Sequence, residues 1–188
     1  MIDTICCEKE TDTSKFASIT RANRPRLFDG NYDYNWNEAL SEEEKISVRE
    51  LGKNLEKLFV YRYLFYSDGK AIGWSWGVQK AADEIYMVNT AIEPEYRNKG
   101  IYTAFLHLLI KELSEKGFQR IYSRHKLSNN GVIIPKLKAG FVITGIEVDD
   151  RFGSVAILSY LTNPIRRKIL DIRIGMQKPD EETNALIV

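Results

Sequence analysis

An aromatic-rich hairpin constrains the fold of this chain more than any other feature of its sequence. The run 59–66 is rich in aromatic and β-branched residues, Asp68 and Gly69 follow it, and a similar run covers 71–78. Asp-Gly between two such runs is a strong hairpin signal because glycine tolerates a positive φ. The apolar run 85–92 is short enough for a buried strand. The sequence therefore predicts three successive strands, and the first two form a hairpin.

Helical spacing replaces this pattern on either side of the three strands. After them an apolar stripe of helical period runs to Leu113, and Gly117 is the residue expected to end that helix. Ser41 and Glu44 have the spacing of a capping box, which predicts a helix over 42–57. The other predicted elements are a strand over 120–126, a helix from 128 or 129 to 139, strands over 141–148 and 155–161, and a helix over 165–174.

This order of elements predicts a mixed sheet with helices packed on it. The predicted domain covers 38–161. Residues 1–37 are expected to form an irregular N-terminal arm with a first strand over 15–20. Residues 162–188 are expected to carry the last helix and then a mobile tail that includes 178–184.

Charge and hydrophobicity argue against two classes of partner. The formal net charge is +1, from 27 Lys+Arg and 26 Asp+Glu, so the basic excess typical of nucleic-acid binders is absent. We interpret the basic cluster 166–168 as a solvated helix face. No uncharged apolar stretch approaches the roughly 18 residues that span a membrane. We therefore expect neither a nucleic acid nor a membrane as partner.

The cysteines and histidines predict no disulfide and no metal site. Cys6 and Cys7 are adjacent, a spacing that rarely closes a disulfide, and the chain has no other cysteine. Free thiols fit a reducing compartment, and the pattern of a signal peptide is missing, so we expect a cytoplasmic protein. His107 and His125 are the only histidines, too few for a zinc site.

One strand-to-helix turn is the strongest candidate for a functional site. It reads Glu-Pro-Glu-Tyr-Arg-Asn-Lys-Gly-Ile-Tyr over 93–102. Backbone N–H groups at a helix N-terminus lack internal partners and lie at the positive end of the helix dipole, so such a turn binds phosphate. Gly100 lets the backbone approach an anion closely, and Arg97 and Lys99 add positive charge. An ordinary helix start is the alternative interpretation of this spacing.

The same turn resembles the acyl-CoA signature of the GNAT superfamily of N-acetyltransferases, whose core is R/Q-x-x-G-x-G/A. A second landmark of that family, an Asn that opens a helix ending in Gly-Phe, is also present. Two landmarks with a strand between them are more specific than either one. The resemblance covers about 58–161. The matching residues are Arg97, Gly100 and Tyr102 in the turn, and Asn129, Gly140 and Phe141 in the second landmark.

The resemblance implies a fold of the α/β (α+β) class. This is a mixed, mostly antiparallel, twisted sheet of six to seven strands with helices on both faces, splayed open beside the strand 85–92. It also implies acetyl-CoA as co-substrate and no metal, with the pantetheine arm in the split and the pyrophosphate on the N–H groups of the turn. The binding residues implied are Ala91, Ile92, Arg97, Asn98, Lys99, Gly100, Ile101, Tyr102, Thr103 and Asn129.

The function implied is transfer of an acetyl or other short acyl group from acyl-CoA to a primary amine, by direct attack in a ternary complex. The acceptor is expected to be a small-molecule or peptide amine, and a homodimer is compatible with the family. Two alternatives come from other classes of protein. One is a catalytically weak or inactive CoA-binding regulatory module, and the other is a structural domain whose turn holds no ligand.

The sequence departs from the family pattern at two positions. Tyr102 stands where a second small residue is usual. Lys136 stands where the family often has a Tyr that protonates the leaving thiolate, so the usual general acid is absent or another group replaces it.

Two residues are candidates for proton transfer. His125 is the first, because it ends a strand beside the predicted split and its ordinary pKa is near neutrality. A hydrogen-bonded structural histidine is the alternative. Tyr122 is a second candidate, for protonation of the thiolate, with aromatic packing as the alternative. Glu84 is a weaker candidate base, and His107 is expected at the surface.

Overall fold

A seven-stranded sheet forms the centre of the protein. The computed structural model describes residues 5–28, 41–53, 55 and 57–185. The strands follow the spatial order β1-β2-β3-β4-β5-β7-β6, with β4 and β5 parallel and all other neighbours antiparallel. This confirms the mixed, mostly antiparallel sheet. The strands are β1 (Ile5–Lys9), β2 (Val60–Ser67), β3 (Lys70–Ala81), β4 (Glu84–Ile92), β5 (Arg120–Lys126), β6 (Val142–Asp149) and β7 (Gly153–Leu161).

Helices cover both faces of the sheet, as predicted. On one face, buried side chains of α3 and α4 join the main core, and on the other Phe16 of α1 packs with Leu64, Trp74 and Ala91. None of the helices in the described ranges is long and apolar enough to cross a membrane. The helices are α1 (Thr13–Leu27), α2 (Glu42–Lys53), α3 (Ile101–Glu115), α4 (Asn130–Lys138), α5 (Pro164–Arg173) and α6 (Glu181–Asn184), and a 3-10 turn covers Pro94–Tyr96.

Local signals placed several of these elements correctly. Asp68 and Gly69 turn the β2–β3 hairpin with φ values of 49° and 78°, as a type I′ turn requires. The Ser41 amide donates to Glu44 Oε2 at 2.8 Å, and the Glu44 amide donates to Ser41 Oγ at 3.2 Å, which confirms the capping box. At the end of α3 the Phe118 amide donates to the Leu113 carbonyl at 3.1 Å, the bond of a Schellman motif.

The N-terminal region differs from the prediction. Residues 15–20, predicted as a strand, lie within α1, because the Asp12 side chain caps that helix by accepting from the amides of Ser14 and Lys15. The first strand is β1, which pairs antiparallel with β2 at the edge of the sheet. Residues 1–4 and 29–37 of the predicted arm lie outside the described residues.

The C-terminal tail also contains more structure than predicted. Within 178–184, expected to be mobile, α6 begins at a capping box formed by Asp180 and Thr183. The Thr183 side chain is buried, and Lys168 of α5 forms ion pairs with Asp180 and with Glu182, the latter at 2.9 Å. These contacts hold α6 against α5.

The sheet opens between β4 and β5, as the resemblance implied. These strands pair only over Glu84–Arg120, Ile85–Ile121 and Tyr86–Tyr122. A local irregularity of β4 accompanies their separation. A bulge lies at Val88, where Asn89 and Met87 face consecutive residues of β3, and bulges bend a strand. Strand β5, in contrast, pairs along its whole length with β7.

Candidate active site

The turn between β4 and α3 presents a row of free backbone donors. Asn98 and Gly100 have φ values of 61° and 79°, and this pair of left-handed residues redirects the chain into α3. Within the described residues, the N–H groups of 98–103 have no intramolecular acceptor, and the helical bonding begins with the Ala104 amide on the Gly100 carbonyl at 3.0 Å. Free N–H groups at the positive end of a helix form an anion site.

The space in front of Gly100 is open. A Cβ atom placed on this residue would meet no atom within 4 Å. The basic side chains lie at the rim. Arg97 Nε donates to the Ile92 carbonyl at 2.8 Å, which ties the turn to the end of β4, and Lys99 Nζ lies 4.9 Å from the ring centroid of Tyr96. The turn therefore combines free donors, open space and positive charge.

An ion pair from α1 supports the start of this turn. Glu93, only 4% exposed, accepts hydrogen bonds from both terminal nitrogens of Arg26 at the end of α1. These bonds lower the pKa of the Glu93 carboxyl, so it stays ionised. Sequence reasoning missed this pair, because no local pattern links residues so far apart in the chain.

Tyr102 is in the first turn of α3, and its partly buried ring packs against the main core. Burial raises the pKa of its hydroxyl well above the ordinary value, with a further contribution from Tyr61. A bulky residue at this signature position is therefore accommodated by core packing. Its amide belongs to the row of free N–H groups.

Lys136 of α4 is the most unusual residue near the split. Its side chain is 0% exposed, and its Nζ donates to Met87 Sδ at 3.0 Å and lies 4.1 Å from the ring centroid of Phe141. Desolvation lowers the pKa of this amine to about 7. The sequence identified Lys136 only as a residue standing where a Tyr is usual, and gave no sign of its burial.

Asn129 starts α4, as predicted, and its side chain makes no capping bond. The amides of Val132 and Ile133 instead donate to its backbone carbonyl, at 3.1 and 3.0 Å. The side-chain amide of Asn129 is thus available for another partner.

The two candidate proton-transfer residues lie on opposite faces of β5. His125 shares the face of Ile121 and the main core, and its Nε2 lies 2.9 Å from Ser123 Oγ. Burial, and secondarily the positive charge of Lys136, lowers the pKa of His125 to about 3, so the imidazole is neutral at physiological pH. The structure brings His125 close to Lys136, and it places His125 and Tyr122 on opposite faces of β5.

Tyr122 packs in an aromatic and charged layer on the other face. Its ring centroid lies 5.2 Å from that of Tyr86 and 4.6 Å from the guanidinium carbon of Arg120. Burial, with a smaller contribution from Glu84, raises the pKa of the Tyr122 hydroxyl. Glu84 forms an ion pair with Arg120 at 3.1 Å, and His107 is exposed on α3, as expected.

Comparison with known proteins identifies the class of protein that this fold and turn define. The sequence model of the Acetyltransferase (GNAT) family matches residues 23–135, more than half of the 188-residue chain. The chain belongs to the GNAT acetyltransferase family. A comparison with curated proteins finds no match.

Solved structures with the same fold include several acetyltransferases. The ribosomal-protein-S18-alanine N-acetyltransferase of Escherichia coli is 19% identical, with a TM-score of 0.61 over 85% of this chain and 95% of that one. An N-acetyltransferase of Staphylococcus aureus Mu50 is 18% identical, with a TM-score of 0.58 over 87% and 100%. The yncA protein of Salmonella typhimurium, solved with its cofactor acetyl-CoA, is 14% identical, with a TM-score of 0.60 over 85% and 95%. At these identities the likeness shows the fold.

Proposed function

We propose that this protein transfers an acetyl group from acetyl-CoA to a primary amine, and that the N–H groups of 98–103 bind the pyrophosphate of the co-substrate. The observation that carries the proposal is the row of free donors at the N-terminus of α3, with open space in front of Gly100. Membership of the GNAT family supports the same assignment. A pyrophosphate carries the charge and the acceptor oxygens that such a turn accommodates.

The open edge of β4 suits the pantetheine arm. Beyond Tyr86 the edge of β4 that faces β5 has no strand partner among the residues that the structure describes, so its backbone groups are free to bond the amides of an extended ligand. In this proposal Ala91 and Ile92 line that edge. The side-chain amide of Asn129, free of any capping bond, contributes from the opposite wall of the split.

The proposed reaction relies on positioning and electrostatics. Acetyl-CoA supplies the thioester, and the chain holds it beside the amine and stabilises the oxyanion with N–H groups of β4 near Asn89–Ala91. His125 and Tyr122 remain candidates for proton transfer. The neutral His125 forms a hydrogen bond with the Ser123 hydroxyl. The acceptor is proposed to be a small-molecule or peptide amine.

A single substitution tests the placement of the pyrophosphate. Gly100→Trp fills the open space in front of the turn, and we expect it to abolish CoA binding and the release of free thiol from acetyl-CoA with a panel of amines. Gly69→Trp is the matched control, because Gly69 has nearly the same φ, of 78°, and equally open surroundings, but lies in the β2–β3 hairpin. Full CoA binding by Gly100→Trp would refute the placement.

A second candidate function is a CoA-binding regulatory module, which Lys136 favours because it replaces the usual Tyr. That function predicts CoA binding without thiol release across the whole amine panel. Turnover with any amine, at a rate typical of enzymes, would exclude it.

A further inference from the structure

Two glycines of β3 lie opposite the two ends of the segment of β4 that separates from β5. This open segment begins after Tyr86, at the closed end of the split, and runs to the last residue of the strand, Ile92. Gly77 pairs with Met87, the first residue of the open segment. Gly73 pairs with Ile92 at its other end. The two glycines therefore frame the part of β4 that borders the split.

The main chain of β4 approaches both glycines more closely than a side chain would allow. A Cβ atom on Gly73 would lie 2.3 Å from the carbonyl oxygen of Ala91. A Cβ atom on Gly77 would lie 2.5 Å from the carbonyl oxygen of Tyr86. Both distances are below 3.0 Å, which is closer than Cβ atoms in proteins approach other heavy atoms. Glycine within a strand often marks such a close approach of another backbone.

A buried aromatic ring of β2 lies over each glycine from the side opposite β4. Gly77 pairs with Tyr61, and a Cβ atom there would lie 2.4 Å from the Tyr61 ring. Gly73 pairs with Phe65, and the corresponding distance is 3.0 Å. Both rings are 0% exposed and belong to the main core, and aromatic side chains commonly fill the space that a strand glycine leaves. The same arrangement thus occurs twice, at positions four residues apart.

This packing determines how far β4 lies from β5. Strand β4 has β3 on one edge and β5 on the other, so a displacement away from β3 is a displacement toward β5. The carbonyl oxygens of Ala91 and Tyr86 belong to the main chain, so they move only when the strand moves. Strand β5 is paired along its whole length with β7, which holds it in place. A side chain at either glycine would therefore narrow the split.

We propose that Gly73 and Gly77 are positioning residues for the co-substrate, because they let β4 lie against β3 and so hold the split open for the pantetheine arm. This role rests on the proposed function, since it requires the arm to enter the split. The glycines act through the main chain of β4 and touch no part of the co-substrate. The turn that binds the pyrophosphate follows the open segment, so its affinity for a diphosphate does not depend on them.

Calorimetric titration of alanine variants tests this role. CoA and ADP share the adenosine and the diphosphate, but only CoA carries the pantetheine arm. We expect Gly73→Ala and Gly77→Ala each to weaken CoA binding at least about tenfold, while the affinity for ADP stays within about threefold of wild type. Gly145→Ala in β6 is the matched control. A Cβ atom there would meet the Ile157 side chain at 3.5 Å, an ordinary van der Waals distance, so both affinities should stay at the wild-type values.

A double variant separates the main-chain contact from the ring contact. Phe65→Leu removes the ring that lies over Gly73 and leaves the Ala91 carbonyl oxygen in place. We expect Gly73→Ala/Phe65→Leu to bind CoA as weakly as Gly73→Ala does. Recovery of the wild-type affinity would overturn the inference, because the glycine would then serve only to make room for the ring. Thermal unfolding of each variant checks that it is folded.

Amide hydrogen exchange of the wild-type protein provides a test that needs no variant. The Glu93 amide donates to the Ile72 carbonyl of β3 at 2.9 Å, and backbone groups alternate between the two edges of a strand. The amides of Thr90 and Ile92 therefore point to the split. Without ligand we expect them to exchange at least about tenfold faster than the Glu93 amide, and CoA should slow them. Equal protection without ligand would mean that the split is closed, which would overturn the inference.

The outcomes distinguish this inference from the proposed function. If CoA does not bind the wild-type protein, the proposed function fails, and the exchange measurement still decides whether β4 is held away from β5. If CoA binds, and both alanine variants bind it as tightly as wild type, only the inference fails. Equal losses of affinity for CoA and ADP would also overturn it, because the glycines would then affect the whole site and not the space for the arm.

Discussion

Two buried charges lie near the split and have opposite surroundings. Glu93, at the start of the turn, is bonded by both terminal nitrogens of Arg26. Lys136, at the closed end of the split, contacts a thioether and an aromatic ring. The pKa values of both groups are lowered, with opposite results. The lowered pKa of Glu93 favours its charged carboxylate, and the lowered pKa of Lys136 favours its neutral amine. The compensated charge ties α1 to the start of the turn, and the uncompensated one is held in its buried site at a cost in desolvation.

The largest effect is expected from breaking the compensated pair. Arg26→Met removes the hydrogen-bonding partner of the Glu93 carboxylate and leaves it only the weaker influence of Lys70 and Arg97, so we expect the free energy of unfolding to fall. Because the Arg26 side chain is 54% exposed, the fall should be smaller than for a fully buried pair. Urea denaturation measures the change. The double variant Arg26→Met/Glu93→Met is the control, and it should recover much of the loss.

A smaller effect, and one that depends on pH, is expected for the uncompensated charge. The pKa of Lys136 falls from 10.5 to about 7 on folding, so between these values the unfolded chain binds more protons and stability rises with pH. We expect the wild-type protein to gain about 2 kcal/mol over Lys136→Met from about pH 7 to about pH 9. Denaturation curves at both pH values measure it. Parallel pH profiles for the two proteins would show that Lys136 is not desolvated.

The smallest effect is expected for a charge pair in solvent. Arg166 Nη1 lies 3.0 Å from Asp83 Oδ2, and both side chains are more than 40% exposed. Because solvent screens such pairs, Arg166→Met should change the free energy of unfolding by less than about 0.5 kcal/mol. A loss comparable to that of Arg26→Met would mean that burial is not what separates the two pairs.

Local chemistry explains why parts of the fold were predictable. The Asp68-Gly69 turn, the Ser41–Glu44 capping box and the end of α3 at Gly117 each depend on residues within a few positions of one another. The N-terminal error has a local origin as well. Residues 15–20 contain aromatic and β-branched residues typical of strands, but the Asp12 cap starts a helix there.

The site was only partly predictable for a different reason. The turn proposed to bind an anion is continuous in sequence, so its glycine and basic residues were recognisable. The burial of Lys136 depends on Met87 of β4 and Phe141 before β6, and the support of Glu93 depends on α1. Such contacts are set by tertiary packing, and the sequence shows only a lysine on a short helix. Each member of the basic cluster 166–168 pairs with a carboxylate, and only Arg166 is exposed while Arg167 and Lys168 are partly buried.

The central claim is that the backbone amides of 98–103 bind the pyrophosphate of CoA, and calorimetric titration tests it most directly. CoA and pantetheine share the arm that enters the split, but only CoA carries the pyrophosphate. We predict that the wild-type protein binds CoA at least about 100-fold more tightly than pantetheine, a difference of about 2.7 kcal/mol. Equal affinities for the two ligands would contradict the account.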